Sequence, residues 1–211
     1  MAKKPRAPKE KASQSAFDDA LVTATLDEAA AMGWREVTIA GVASRAQIPL
    51  GAVLEKAPTK AHLALGVVKA IDRATMAGVT EPDPPVSAKD RLFDVIMRRF
   101  DAMNKHREGT RAMVRGVARD PGAAVMLGCR VQNSAAMMLG AAGIGTDGIC
   151  GQMRIQGLKA IMLSAVRAWM KDDTADLAET MAAVDRALNQ AERLLKFMPS
   201  LRSRPTEAKQ A

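Results

Sequence analysis

The sequence predicts an all-α protein: a three-helix domain of helix-turn-helix outline followed by a helical bundle, about nine helices in all. Three observations carry this. Only 3% of the 211 residues are aromatic and none is tyrosine, while alanine, leucine and methionine are abundant, a composition that favours helix and omits the residues strands prefer. Apolar residues recur at steps of three and four in almost every segment, the spacing of one helical face. A 48% hydrophobic content over this length is enough to bury one or two cores.

From Ser15 to Met32 the sets Phe17, Leu21, Ala24 and Val22, Leu26, Ala29 form one stripe, and Gly33 supplies a stop. "VTIAGVASRAQIPLGAVLEK" reads as two short helices: Thr38 caps the first, Gln47 to Pro49 make the turn, and Leu50 to Lys56 form the second. Thr59 opens a longer helix, to about residue 78, with Leu63, Val67, Ile71 and Ala74 on one side. "GVTEPDPPV" (78–86) carries four Gly/Pro residues in nine and can sustain neither helix nor central strand, so a boundary is expected there.

The pattern restarts at "SAKD" (87–90), a capping box, followed by Leu92, Phe93, Ile96, Met97, Phe100 and Met103. A shorter helix is expected over 106–119. Asp120 and Pro121 then sit in cap and first-turn positions of a helix running to about Ala142. The last two helices, about 147–171 and 174–198, carry the stripes Leu158, Met162, Ala165, Trp169 and Leu177, Met181, Val184, Leu188, Ala191, Leu195. Joined by "KDD", they should pack as an antiparallel hairpin. Leu158, Met162, Ala165, Leu177, Met181, Val184 and Leu188 either form an ordinary intramolecular core or meet their copies across a twofold axis in a homodimer.

Several chemistries find no support. "GIGTDG" (143–148) spells a dinucleotide-binding pattern, but such a loop must follow a strand, and a helical Met/Ala run precedes it. His62 and His106 are far apart and have no neighbouring ligand of metal-site spacing, so no metal site is expected. No nucleophile elbow appears, so the protein is expected to be neither an enzyme nor dependent on a cofactor. No run approaches the ~20 apolar residues of a membrane span, and no N-terminal apolar h-region suggests export. Cys129 and Cys150 accordingly read as reduced core thiols of a soluble, cytoplasmic protein.

The net charge of +8 is concentrated at the ends, in "MAKKPRAPKEK" and "LRSRPTEAKQ". Basic arms at 1–14 and 199–211, expected to be disordered, suit a polyanion or serve only for solubility. Flexible thioethers among the fourteen methionines either fill core gaps or line an adaptable apolar pocket, for which Phe93, Met97, Phe100, Met113, Met126, Met137, Met162 and Trp169 are the candidates.

"GWREVTIAGVASRAQIPLGAVLEKAPTKAHL" resembles the N-terminal domain of the tetracycline-repressor (TetR) family of bacterial regulators. The resemblance rests on Gly33 with Thr38, on Val42, Ala43 and Ala46, on the Ile48-Pro49-x-Gly51 turn, and on Thr59-Lys60. It implies a helix-turn-helix domain over 15–60 and a ligand-binding and dimerisation domain over 61–198, with helix 59–78 as connector. By the same resemblance, Thr38, Arg45, Lys56, Thr59 and Lys60 face DNA, and the helix beginning at Pro49, with Leu50, Gly51 and Ala52, enters the major groove of an operator expected to be palindromic.

The pattern usually has glycine at Gln47, tyrosine at Leu54 and phenylalanine at Ala57. Glu55 adds a negative charge, and residues 50–53 offer few donors for base edges. The segments "DRLFDVIMRRFDAMNKHREGTRAMVR" and "DLAETMAAVDRALNQAERL" also resemble TetR-like ubiquinone-biosynthesis accessory proteins, which bind lipid and not DNA. Two readings therefore stand: a dimeric regulator that senses a small hydrophobic ligand, and a lipid- or isoprenoid-binding accessory protein.

Overall fold

The computed structural model describes the backbone of residues 8–79 and 86–197, and side chains from residue 14 to residue 194 within that span. Residues 1–7 of the arm expected at 1–14, and all of the arm expected at 199–211, lie outside it, whereas residues 8–14 are helical, which corrects the expectation of disorder there. Among the described residues the chain forms nine α-helices and one 3-10 turn: α1 (Pro8–Met32), the turn Trp34–Glu36, α2 (Ile39–Ala46), α3 (Leu50–Lys56), α4 (Lys60–Ala77), α5 (Ala88–Asn104), α6 (Arg107–Val117), α7 (Pro121–Ala141), α8 (Gly148–Trp169) and α9 (Ala178–Phe197). α1 begins at Pro8, upstream of the Ser15 start that the apolar spacing suggests.

The caps are those the sequence offers. Thr38 Oγ1 accepts from the Gly41 N–H at 3.0 Å, Ser87 Oγ from Asp90 N–H at 3.1 Å, and Asp120 Oδ1 from Ala123 N–H at 3.0 Å. Each satisfies one backbone donor that the first helical turn leaves open.

The chain divides into two compact units. The first joins the residues up to Arg73 to Met103–Gly128; the second comprises Ala74–Ala102 and the chain from Cys129 onward. The Gly/Pro segment at 78–86 is thus not where the units part, because the first division falls within α4 and residues 103–128 return to the first unit.

In the first unit Leu21, Ala24, Leu26 and Ala29 of α1 are buried with Val42 and Ala43 of α2, Val53 of α3 and Leu63 of α4. α6 lies against α1 at backbone distance. A Cβ on Gly109 would stand 2.1 Å from the Leu26 carbonyl oxygen, and one on Gly116 would stand 2.2 Å from the Trp34 ring. Glycine one heptad apart on α6 is what permits the approach.

In the second unit Leu92, Val95, Ile96 and Phe100 of α5, Ala135, Met138 and Leu139 of α7, Ile155, Leu158, Met162, Ala165 and Trp169 of α8, and Val184 and Leu188 of α9 are buried. The Phe100 and Trp169 rings are 6.4 Å apart between centroids and tilted by 38°. The α8–α9 connection is closed by Asp172, fully buried, whose carboxylate accepts from the backbone N–H and hydroxyl of both Thr174 and Thr180. Burial alone would raise its pKa, but those hydrogen bonds outweigh it and hold the group at about 2. Cys129 is exposed and Cys150 half-buried, which corrects the expectation that Cys129 belongs to the core.

Candidate nucleic-acid interface

α2 and α3 are joined by a turn in which Gln47 adopts the left-handed conformation, φ 56°. The Ile48 N–H donates to the Ala43 carbonyl at 3.0 Å and the Gln47 N–H to Ser44 at 3.2 Å, a Schellman-type closure. A side chain there is strained, which is why glycine suits the position. Pro49, with φ −54°, then opens α3. Val53 and Ala57 are the buried positions of this segment, while Leu50 and Leu54, one turn apart, are 44% and 42% exposed. Gly51 and Glu55 are also exposed, and Ala52 is half-buried. The outward face of α3 is therefore mostly apolar.

The candidate cations are each engaged within the unit. Arg45 Nε lies 2.6 Å from Glu28 Oε2, on a carboxylate that is itself buried. Lys56 Nζ is 2.8 Å from Asp18 Oδ1. Lys60 Nζ donates to the Arg35 carbonyl at 2.7 Å and sits 5.2 Å from the centroid of the Trp34 ring. Burial lowers the Lys60 pKa, with Glu36 and Asp120 pulling it back up. Thr59 shares a 2.8 Å hydrogen bond with His62 Nδ1. The Arg45 and Lys56 side chains remain more than two-fifths exposed.

Glu28, Asp18 and Trp34 were not among the residues that spacing singles out. Trp34 was legible only as one of two tryptophans, placed directly after Gly33. Gly33, at φ 82°, turns the chain so that this ring is buried beside α6.

Ala57, the position where the resemblance has phenylalanine, borders a cavity of about 150 Å3 lined by Leu21, Val22, Thr25, Leu63 and Gly66 among others.

The candidate pocket residues do not come together in one unit. Met113, buried, and Met126, half-buried, belong to the first; Phe93, Met97, Phe100, Met137, Met162 and Trp169 belong to the second, where Phe100, Met162 and Trp169 are core and Met137 is exposed. Of the seven residues named for a dimer face, Leu158, Met162, Ala165, Leu177, Val184 and Leu188 are already buried in the single chain, and Met181 alone is exposed. This corrects the stripe as an intermolecular surface: its area is removed from water before a second copy arrives. The exposed apolar residues of α8 and α9 are instead Ile149, Met153, Leu163, Met181 and Leu194.

The arrangement of helices is shared with solved structures. A TetR transcriptional regulator from Nitrosomonas europaea superposes with a TM-score of 0.69 at 21% identity, over 84% of this chain and 98% of its own. One from Rhodococcus sp. RHA1 gives 0.65 at 20% identity over 84% and 96%, and a TetR-family regulator from Streptomyces coelicolor 0.59 at 18% over 89% and 86%. No protein-family profile and no curated protein matches the sequence. The chain has the all-α TetR-type fold. Among the described residues no helix is long and apolar enough to cross a membrane.

Proposed function

We propose that the protein is a dimeric transcriptional regulator that binds DNA through α2 and α3 and senses a small hydrophobic ligand. The observation that carries this reading is the helix-turn-helix itself: Thr38 caps α2, Gln47 closes the turn, and α3 presents an uncovered face within a fold that solved TetR regulators share. Affinity on this reading comes from phosphates, through Thr38, Arg45, Lys56, Thr59 and Lys60. The Leu50, Gly51, Ala52 and Leu54 surface suits thymine methyl groups and offers no bidentate base readout. The ligand would be held among Phe93, Met97, Phe100, Met162 and Trp169, and the dimer would use the exposed faces of α8 and α9 around Ile149, Met153, Leu163 and Met181.

The test is binding to the DNA upstream of its own gene at two salt concentrations. A specific complex with a steep salt dependence is expected, and Lys60→Ala should weaken all sequences about equally and reduce the salt slope by about one. Equal, weak binding to any duplex would sink the reading.

The two exposed leucines of α3 favour a second reading, a lipid- or isoprenoid-binding accessory protein without sequence-specific DNA binding. Native mass spectrometry separates the two: a lipid retained on purification, together with no operator preference, selects the accessory role.

A further inference from the structure

We propose that the first unit carries a binding site for a small organic anion, separate from both the α3 face and the apolar core of the second unit. A cavity of about 570 Å3 opens among the end of α1, the Trp34–Glu36 turn, the start of α4 and the outer face of α6. That volume lies in the range of small-molecule sites. Arg35, Lys60, Arg115 and Arg119 line it, four cations from three elements. Among the described residues the guanidinium groups of Arg35, Arg115 and Arg119 have no ion-pair partner.

Two carboxylates share the lining: Glu108, exposed and 3.5 Å from Arg111, and Asp120, which caps α7 through one oxygen and offsets part of the charge on Lys60. Lys60 is held by the Arg35 carbonyl over the Trp34 ring, and the exposed side chains of Arg35, Arg115 and Arg119 supply three further positive charges. The remaining walls are small and apolar, Ala29, Ala30, Ala112 and Gly116, which leave room for a flat hydrocarbon part beside the tryptophan. A group that fits carries a phosphate or carboxylate for the arginines, which bind such anions with paired, charge-assisted hydrogen bonds, and an aromatic or short acyl body for the alanine walls.

The site shares Lys60 with the surface proposed to meet DNA. An anion seated there competes with the DNA backbone for the same positive charge, so occupancy should weaken DNA binding; this consequence, unlike the site, rests on the regulator reading.

The experiment is a titration of the full chain with 1-naphthyl phosphate, without DNA, followed at the two tryptophan indole N–H resonances by NMR, with Trp34→Phe assigning the signals. A saturable shift of the Trp34 signal is expected, with Trp169, fully buried in the other unit, as the unmoved reference. The exposed pair Arg115→Ala/Arg119→Ala should weaken binding roughly tenfold or more while the dispersed Trp34 signal of the ligand-free variant shows that the first unit stays folded. No saturable shift at Trp34, or equal affinity in the double variant, overturns the site. Equal binding of uncharged 1-naphthol overturns its anionic character, and equal binding of inorganic phosphate overturns the role of the apolar walls. Because the titration contains no DNA, failure of the regulator reading leaves its outcome intact.

Discussion

The α2–α3 turn and the α8–α9 turn each hold one non-glycine residue in the left-handed conformation, Gln47 and Leu177, both at φ 56°. The strain is the same in kind, but its surroundings differ. Leu177 buries its side chain almost completely, and the neighbouring Asp172 receives hydrogen bonds from Thr174 and Thr180. Gln47 is exposed, and the helix it introduces ends at Ala57, beside an unfilled cavity. Backbone strain persists where the surrounding structure over-determines it. The hairpin turn is locked by its contacts, whereas the helix-turn-helix has kept its geometry with less to hold it.

The largest single loss should therefore come from the locked turn. Asp172→Asn keeps the shape but turns an amide N–H2 toward donors that need an acceptor, and it is expected to cost about 2–4 kcal/mol. The pH dependence has a definite sign. The folded pKa, about 2, lies below the ordinary 3.8, so the contribution is fully present above about pH 4 and is lost as pH falls toward 2. That difference corresponds to about 2 kcal/mol. Denaturant unfolding from pH 6 down to pH 2 should show an acid limb that Asp172→Asn flattens. An unchanged limb would mean that other carboxylates carry it.

The opposite outcome is expected at Ala57. Here a larger side chain has space to enter, and Ala57→Phe should raise stability by about 1 kcal/mol, the usual gain from filling a cavity. Destabilisation of that size would show that Lys56 and His62, which border the same cavity, cannot make way for the ring.

The helices were legible because their signals are local: caps at Thr38, Ser87 and Asp120 and steps of three and four residues predict elements without reference to distant parts of the chain. The α8–α9 hairpin followed from the same stripe, but its periodicity could not say which partner covers it, since a core within one chain and a core between two chains demand the same leucines. Only burial separates them, and it places Leu158, Ala165 and Val184 inside. The cations of the helix-turn-helix were legible as residue types and positions. Their engagement with Glu28, Asp18 and the Arg35 carbonyl was not, because those partners lie 17 to 38 residues away in sequence and carry no motif. For the same reason the cavity beside Trp34 is not legible in the sequence: its arginines come from two stretches that read as an ordinary turn and an ordinary solvated helix face.

The smallest effect is expected at Gln47, and it sharpens the contrast most. Gln47→Gly removes the Cβ that makes a left-handed residue cost roughly 1–2 kcal/mol, but it also frees the unfolded chain, which takes back roughly half to one kcal/mol. The net should be a gain of about 0.5 kcal/mol, read as a small rise in the denaturant midpoint at unchanged slope. The matched change Leu177→Gly relieves the same strain and deletes a buried apolar side chain, so it should lose about 2 kcal/mol or more. Opposite signs at two residues with one backbone angle would show that side-chain burial, and not the angle, decides whether such a position is a weakness. Equal signs would mean that the two turns are held in the same way after all.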